Sequence, residues 1–282
     1  MAVSNSLTTK ANQKMGMTAY LTQDAVKDQI NKVLGGKNGT RFITSIVSAV
    51  NNNEQLQQCT NQSILSAALL GESLNLSPSP MLGYYYMVPF NDKNKGKVAQ
   101  FQIGYKGLIQ LAIRSGQYKK INVMSIKKGE LEYFDPLNEE IKVKLMVDNW
   151  DAREKAETIG YYAMFELVNG FKKAIYWSKD QMEAHALQYS QGYRAKKGYT
   201  FWEKDFDAMA HKTLLRQLLS KWGIMSTELQ AAVEADEAVI NEDGSKTYVE
   251  TEEVIDVQEP TPVEDSAPAP DQDPAAALFG GK

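Results

Sequence analysis

The stretch TIGYYAMFELVNGFKKAIYW, residues 158–177, decides the fold class of this chain. It contains two runs rich in aromatic and β-branched residues, and Asn169-Gly170 joins them. Asn-Gly between two strand-like runs is the strongest short-range signal for a β-hairpin, because both residues tolerate the positive φ angles that a tight turn requires. The stretch therefore predicts a pair of antiparallel strands.

Further strand candidates precede this hairpin. The runs GYYYMVPF (83–90) and KVAQFQI (97–103) flank a polar, basic loop at residues 91–97 and predict a second hairpin. NVMSIKK (122–128) and EIKVKLMV (140–147) are shorter runs of the same kind. We expect all of these segments to form a central set of antiparallel strands.

Helical patterns flank the strands on both sides. Apolar residues recur at three- and four-residue spacing in several segments, and Ser178 and Gln181 have capping-box spacing for a helix that runs to about Tyr189. The expected architecture is α+β, with central antiparallel strands and hairpins flanked by helices. The helical segments are 19–34, 41–53, 61–76, 104–115, 178–189 and 206–222.

The formal net charge of −4 hides an uneven distribution. Residues 228–282 contain 15 Asp/Glu and 2 Lys, a net charge of −13, so residues 1–227 carry +9. This asymmetry indicates nucleic-acid contact, although a basic body alone is only moderately specific. The acidic part also has too few apolar residues to offset the entropy of ordering. We expect an N-terminal arm (1–34), a core (35–227) and a disordered acidic tail (228–282).

The arm and the tail have candidate roles of their own. Leu21, Val26 and Ile30 give the arm an amphipathic stripe that could bridge neighbouring protomers. The tail could compete with nucleic acid for the basic core, or present Leu278-Phe279 to a replication partner. An inert, solubilising tail is the alternative.

Composition excludes several kinds of site. Cys59 is the only cysteine, so no intramolecular disulfide or cysteine-rich zinc site can form, and we expect this residue to be buried. His185 and His211 are the only histidines, which excludes a multi-histidine metal site. The N-terminus lacks the apolar core of a signal peptide, and no run is long enough to span a membrane. A soluble, cytoplasmic protein is expected.

Catalytic motifs are also lacking. Asn31 and Asn38 occupy the places where a Walker A motif around Gly36-Lys37 requires Gly and Ser/Thr, and no GxSxG or HExxH motif occurs. Carboxylates such as Glu130, Glu132 and Asp135 leave a metal-dependent nuclease as an alternative, since hard cations prefer oxygen ligands. Binding without chemistry is simpler. We expect no enzymatic activity, no nucleotide and no required cofactor, with Mg²⁺ at most a modulator.

The stretch from Tyr189 to Trp222 joins a basic, aromatic-rich connection to a helix with a cationic stripe. In the helix, Lys212, Arg216 and Ser220 share one face, while apolar residues occupy another. Because cations neutralise phosphates and rings stack on bases, the pattern predicts a single-strand nucleic-acid site. A solvated face is the alternative for the helix alone. The connection contains Arg194, Lys196 and Lys197 among Tyr189, Tyr193, Tyr199, Phe201 and Trp202.

Four stretches, taken in order, resemble the phage recombinases of the RecT type, which are ATP-independent single-strand DNA annealing proteins. They cover the chain from about residue 40 to residue 227, and IGYKGLIQLA together with MAHKTLLRQL is the most specific part. The chain departs from the family pattern at Phe201-Trp202, where a Pro-Trp pair is usual. The stretches are LNLSPSPMLGYYYMVPF (74–90), FQIGYKGLIQLAIRSGQYKKI (101–121), KKGELEYF (127–134) and FWEKDFDAMAHKTLLRQLLSK (201–221).

The resemblance implies protomers that line up along one DNA strand as a helical oligomer, hold its backbone in a basic groove and pair it with a complementary strand. Core packing is the alternative for the aromatic residues, Trp202 above all. Lys93, Lys95 and Lys97 are second choices. The DNA-binding candidates are Lys106, Arg114, Lys127, Lys128, Arg194, Lys196, Lys197, His211, Lys212 and Arg216, with Tyr105, Tyr199, Phe201 and Trp202 as stacking groups.

The implied partners are single-stranded DNA, the annealed duplex and further copies of the chain. A phage exonuclease or a host single-strand binding protein are further candidates, and no membrane is expected. A passive single-stranded DNA-binding protein is the alternative function, because it too needs cations and aromatic rings.

Overall fold

The computed structural model describes the backbone of residues 15–34, 36–92, 95–198, 200–241 and 243–248, and the side chains of all of these except residues 36–38. The helices are α1 Met17–Leu21, α2 Asp24–Leu34, α3 Gly36–Asn51, α4 Glu54–Gln57, α5 Asn61–Ser73, α6 Tyr105–Arg114, α7 Trp150–Lys155, α8 Lys179–Tyr189, α9 Gln191–Arg194, α10 Phe201–Lys204, α11 Phe206–Trp222 and α12 Thr227–Ala235. The strands are β1 Tyr85–Asp92, β2 Gly96–Ile103, β3 Tyr118–Lys127, β4 Leu131–Asp135, β5 Glu140–Val143, β6 Thr158–Leu167, β7 Lys172–Ser178, β8 Ala238–Ile240 and β9 Lys246–Tyr248.

The predicted α+β class is confirmed. The described strands form antiparallel sheets of order β1-β2-β8-β9, β3-β6-β7 and β4-β5. Both predicted hairpins are present, and Gly170 in the turn between β6 and β7 has a φ angle of 89°. The first hairpin has a shorter loop than expected, because its strands pair as far as Asp92 and Gly96.

Helix α11 lies at the centre of the fold, packed against α6 and against all three strands of the β3-β6-β7 sheet. Leu214, Leu215, Leu218 and Leu219 are fully buried. Their spacing of one, four and five residues makes a wide apolar stripe on one side of the helix, which is how a helix meets a sheet face. Asp205 caps its start by accepting a hydrogen bond from the backbone of Ala208.

The IGYKGL motif brings the start of α6 against the chain that precedes β1. A Cβ atom on Gly104 would lie 2.2 Å from the carbonyl oxygen of Gly83, and one on Gly107 would lie 2.1 Å from that of Tyr84. The Gly104 N–H donates to the Tyr84 carbonyl at 2.9 Å. Only glycine fits at both positions, so the motif fixes where α6 sits relative to the first sheet.

The N-terminal segment packs on the core through its apolar stripe and is not a separate arm, and protomer contacts of this segment stay a prediction. Helices α1 and α2 pack on α3, and α2 also contacts α5. Leu21 and Ile30 are fully buried, and Val26 is 7% exposed. These side chains are covered by their own chain and are not available to a neighbour. Residues 1–14 lie outside the described residues.

The expected start of the acidic tail, at residue 228, is also wrong. Residues 228–248 contribute α12, β8 and β9, and the apolar positions of this segment face the core. The segment contains six Asp/Glu and one Lys, so residues 1–248 have a net charge of +4 and residues 249–282 have −8. Residues 249–282, with Leu278-Phe279, lie outside the described residues. The fully buried side chains of the segment are Leu229, Ala232, Ala235 and Ala238.

Strand β5 ends earlier than the run EIKVKLMV predicts. The backbone N–H of Lys144 donates to the carbonyl of Glu130, and that of Met146 donates to the Glu130 side chain. These bonds turn the chain away from the strand after Val143.

As expected, Cys59 is buried. No helix in the described part of the chain is both long and apolar enough to cross a membrane.

The packing of α12 predicts that this helix is needed for stability. Leu229→Ala should lower the free energy of unfolding by about 2–5 kcal/mol, because the change leaves a cavity in the core. Gln230→Ala, on the exposed side of the same helix, should change it by less than about 0.5 kcal/mol. Urea unfolding followed by circular dichroism measures both. Equal, small effects would contradict the inclusion of residues 228–248 in the core.

Candidate nucleic-acid interface

Two sides of α11 face two different cavities. Lys212 and Arg216 line a cavity of about 660 Å³, which we call the main cavity. Asp207 and His211 line a second one of about 390 Å³, the smaller cavity. Each pair is separated by four residues, which places its members on one side of a helix. The helix therefore forms a partition with polar groups on both sides.

The main cavity lies between the first sheet and helices α8, α10 and α11. The four-residue spacing of Lys212, Arg216 and Ser220 predicts that they share one face of α11, and this grouping is confirmed because all three line the cavity. Strand β2 contributes Gln100 and Gln102, which the sequence analysis did not single out. The aromatic lining consists of Phe90, His185, Tyr189, Phe201, Trp202 and Tyr248.

A buried carboxylate, that of Asp236, balances the cations of α11. It accepts hydrogen bonds from Lys212 Nζ at 2.9 Å, from Arg216 at 3.2 Å and from the backbone N–H of Ile103 at 3.1 Å. The Lys212 side chain is only 9% exposed, whereas that of Arg216 is 40% exposed. Lys212 is therefore paired with a carboxylate, and its contact with DNA stays a prediction. Burial raises the pKa of Asp236, and the two cations oppose that rise.

The smaller cavity contains three of the sequence-predicted residues, Tyr105, Lys106 and His211. The Lys106 ammonium lies 6.0 Å from the centre of the Tyr105 ring. Tyr86 also lines this cavity, and its ring centre is 6.0 Å from that of Phe201, which lines the main cavity. The two cavities are thus neighbours, with the Tyr86–Phe201 pair between them.

His211 is held within a polar network. Ser125 Oγ donates to Asp207 at 3.0 Å and lies 3.1 Å from His211 Nε2, so the imidazole donates through Nε2. The Tyr161 hydroxyl donates to the same Asp207 at 2.6 Å. Burial lowers the pKa of His211, which keeps the ring neutral near pH 7. In this network Nε2 of the ring is engaged by Ser125.

The cations of the connection, Arg194, Lys196 and Lys197, are exposed. Their side chains make no hydrogen bond or ion pair with any other described residue. The chain enters this segment from Gln191 and leaves it at Thr200, and both of those residues line the main cavity. The three cations therefore lie on a loop attached to the cavity. Tyr199 lies outside the described residues.

Three predicted cations lie away from both cavities. The guanidinium of Arg114 donates to the carbonyls of Leu74 and Asn75 at 2.7 and 3.2 Å, so it caps the end of α5. Lys127 Nζ donates to Thr158 Oγ1 at 2.8 Å. Lys128 is exposed and lies 3.7 Å from Glu157. Neither cavity has any of the three in its lining.

The second-choice lysines of the first hairpin are engaged elsewhere in the fold. Lys95 Nζ donates to Asn241 at 2.7 Å. Lys97 Nζ donates to Gln55 at 3.1 Å and to Gln58. Lys93 lies outside the described residues. The described lysines of this hairpin therefore tie it to α4 and to the C-terminal strands.

Trp202 packs in the core, as the alternative for the aromatic residues predicts, although one edge of it reaches the main cavity. It is 8% exposed, and its ring centre lies 5.1 Å from Phe206 and 6.2 Å from Tyr193. Phe201 precedes it on α10 and is only partly buried. Of the two, Phe201 is therefore the ring with free surface.

The carboxylate of Glu130, a candidate ligand of a metal cluster, binds donors of the protein itself. Its buried carboxylate accepts from Arg153 Nε at 2.6 Å and from the backbone N–H groups of Lys127 and Met146 at 2.8 and 3.0 Å. Burial alone would raise the pKa of Glu130, but these donors bring it below its usual value. Within the described ranges, no three His, Cys, Asp or Glu side chains are grouped so that they could hold a metal ion.

The contacts of Asp236 predict a large loss of stability when its charge is removed. Asp236→Asn should lower the free energy of unfolding by about 3–5 kcal/mol, because Lys212 becomes a buried charge without a counter-ion. Glu237→Gln removes the same charge one residue away, at an exposed position, and should cost less than about 0.5 kcal/mol. Urea unfolding of both variants measures the difference, and equal effects would contradict the proposed dependence of Lys212 on Asp236.

Comparison with known proteins shows the family to which the chain belongs. The RecT family model matches residues 40–254, which include every element that lines the two cavities. The uncharacterized protein YqaK of Bacillus subtilis (strain 168) is 42% identical over 242 residues, which cover 84% of this chain and 79% of that protein. Protein RecT of Escherichia coli (strain K12) is 29% identical over 223 residues, which cover 78% and 79% respectively. The chain therefore belongs to the RecT family.

Proposed function

We propose that this protein is an ATP-independent single-strand DNA annealing protein of homologous recombination. The main cavity carries the proposal, because α11 presents cations to a space whose other sides are aromatic rings and amides. Membership of the RecT family supports the same function. The proposal assigns binding and pairing of DNA to the protein, with no covalent step, no nucleotide and Mg²⁺ at most as a modulator.

Arg216 is the phosphate-binding group that the geometry favours inside the main cavity. It uses NH1 to reach Asp236, and a guanidinium has five N–H donors, so others remain for a ligand. Arg194, Lys196 and Lys197 add charge on the attached loop, where no other described residue neutralises them. Contacts of this kind are independent of base sequence, as annealing of any sequence requires.

Phe201 and Tyr189 are the stacking candidates. Tyr189 is 69% exposed, and Phe201 is partly exposed beside the smaller cavity. Stacking of a base on an exposed ring contributes roughly 1–3 kcal/mol and tolerates any base. In this proposal a strand runs from Arg216 past Phe201 towards Lys106 in the smaller cavity.

The remaining parts of the proposal concern assembly. Copies of the chain line up along one strand as a helical oligomer, and the complementary strand pairs within it to give an annealed duplex. The apolar stripe of α2 is buried, so another surface has to form the contact between protomers. A phage exonuclease or a host single-strand binding protein remain candidate partners, and Arg114, Lys127 and Lys128 remain candidates for DNA contacts outside the cavities.

An order-of-addition experiment tests the annealing function. The protein is mixed with one labelled strand, the complementary strand is added without ATP, and duplex formation is followed by energy transfer between fluorophores. We expect faster pairing than in the absence of protein. A passive single-stranded DNA-binding protein would bind the first strand and leave pairing unchanged or slower. That result would sink the annealing function while preserving DNA binding.

The loop cations give a quantitative prediction. Changing Arg194, Lys196 and Lys197 together to Gln should weaken single-strand binding and reduce the slope of log K against log salt concentration by about 2, since each phosphate contact on a single strand contributes about 0.7. Fluorescence anisotropy at several salt concentrations measures the slope. The control changes three exposed lysines that lie away from both cavities, Lys27, Lys32 and Lys155, to Gln. An equal loss of slope in the control would show a diffuse charge effect and contradict a role for the loop.

A further inference from the structure

Two side-chain amides of β2 face the main cavity. Gln100 and Gln102 alternate along the strand with Ala99, Phe101 and Ile103, which are at most 1% exposed and belong to the core. Because successive side chains of a strand point to opposite faces, both glutamines lie on the face away from that core. Both line the main cavity, on a different element from the cations of α11.

The Gln100 amide opens onto the main cavity. The residue is only 6% exposed, and neither it nor Gln102 makes a side-chain hydrogen bond with another described residue. Neither glutamine amide is among the buried side-chain polar atoms that lack a partner in the described part of the chain, so both can be reached from the cavity. The donors and the acceptor of each amide are therefore open to a ligand that enters the cavity.

The neighbours of Gln100 within the β1-β2 hairpin are apolar. Its partner across the hairpin is Val88, and the neighbouring pair on the same face is Val98 with Phe90. Phe90 and Val98 form a buried cluster with Val239. These strand neighbours give no reason for a polar side chain at this position, so the reason has to lie in the cavity that the amide faces.

We infer that Gln100 and Gln102 bind base edges of the DNA strand whose phosphates contact the cations of α11. This inference rests on the proposed function. A primary amide has two N–H donors and an acceptor oxygen, and a base edge offers acceptors and donors together, whereas a phosphate offers acceptors only. The amides therefore match the bases, and Arg216 matches the backbone. The two kinds of contact come from two different walls of one cavity.

Such contacts are compatible with annealing of any sequence. The edge that a base turns to the minor groove carries an acceptor, N3 of a purine or O2 of a pyrimidine, and of these acceptors only O2 of cytosine takes part in pairing. An amide N–H can therefore hold bases without reading their sequence, while the pairing edge stays open to the complementary strand. Because the amides are uncharged, their contribution does not depend on counterion release.

The test compares affinity, salt dependence and stability in the full-length protein. Gln100→Leu and Gln102→Leu should each weaken single-strand binding about threefold to tenfold, with an unchanged slope against salt. Gln100→Leu should also leave the Tm unchanged or raise it, since it removes no hydrogen bond to a described residue and places an apolar side chain opposite Val88. Gln117→Leu, at an exposed position outside both cavities, is the matched control and should change none of these quantities.

A second arm uses an oligonucleotide of abasic residues with the same phosphate backbone. The loss caused by the Leu variants should disappear on this strand, because the groups that the amides contact are missing. An equal loss on the abasic and the natural strand, or no loss on either, would overturn the inference. A fall in Tm as large as the loss of binding would assign the amides a structural role and overturn it as well. Failure of the unmodified protein to bind the natural strand would instead sink the proposed function itself.

Discussion

The buried carboxylate of Asp236 is the contact on which the main cavity depends. A charge in the protein interior is costly unless donors surround it, and here the donors come from two elements that are far apart in sequence. Ile103 supplies a backbone N–H from β2, and Lys212 and Arg216 supply cations from α11. The carboxylate therefore holds the sheet and the helix at one separation, and the cavity between them keeps its shape. The residues that follow α12 are in this way part of the site.

The same carboxylate sets the electrostatics of the cavity. Lys212 is neutralised and buried, so it supports the structure more than it attracts a ligand. Arg216 shares the anion but keeps an exposed part of its guanidinium, and Arg194, Lys196 and Lys197 lie on the attached loop. Charge for a polyanion is thus placed at the border of the cavity, and neutral amides and rings are placed inside it. This division fits a strand whose backbone is held near solvent while its bases lie deeper.

Local signals in the sequence predict much of the fold. Asn169-Gly170 and the run KVAQFQI predict the two hairpins, and Ser178 with Gln181 predicts the start of α8, where both bonds of the capping box are formed. Thr200 and Glu203 form a second capping box at the start of α10. It is not predicted from the sequence, because the aromatic residues around it are interpreted as part of a binding segment.

Long-range partners could not be predicted in the same way. Asp236 meets Ile103 across 133 positions of sequence, and acidic composition around it suggests a solvated tail. The amphipathic pattern around Ile30 shows that α2 needs an apolar partner, but not that the partner is its own chain. The face shared by Lys212 and Arg216 follows from helical spacing, whereas the buried environment of Lys212 follows only from the position of α12 and β8. Only a weak pattern in the sequence indicates that Gln100 and Gln102 face a cavity, namely two polar residues at alternate positions of an otherwise apolar strand.

The two-sided use of α11 limits how its sequence can vary. Asp207 and His211 serve one cavity, Lys212 and Arg216 serve the other, and the leucines between them are fixed by the core. The helix therefore has three constrained sides, which face the main cavity, the smaller cavity and the core. A substitution that suits one of them also has to be compatible with the other two, so we expect few changes to be neutral. We therefore expect α11 to tolerate fewer substitutions than a helix that buries a single face. The string MAHKTLLRQL, one half of the most specific part of the resemblance, lies within this constrained helix.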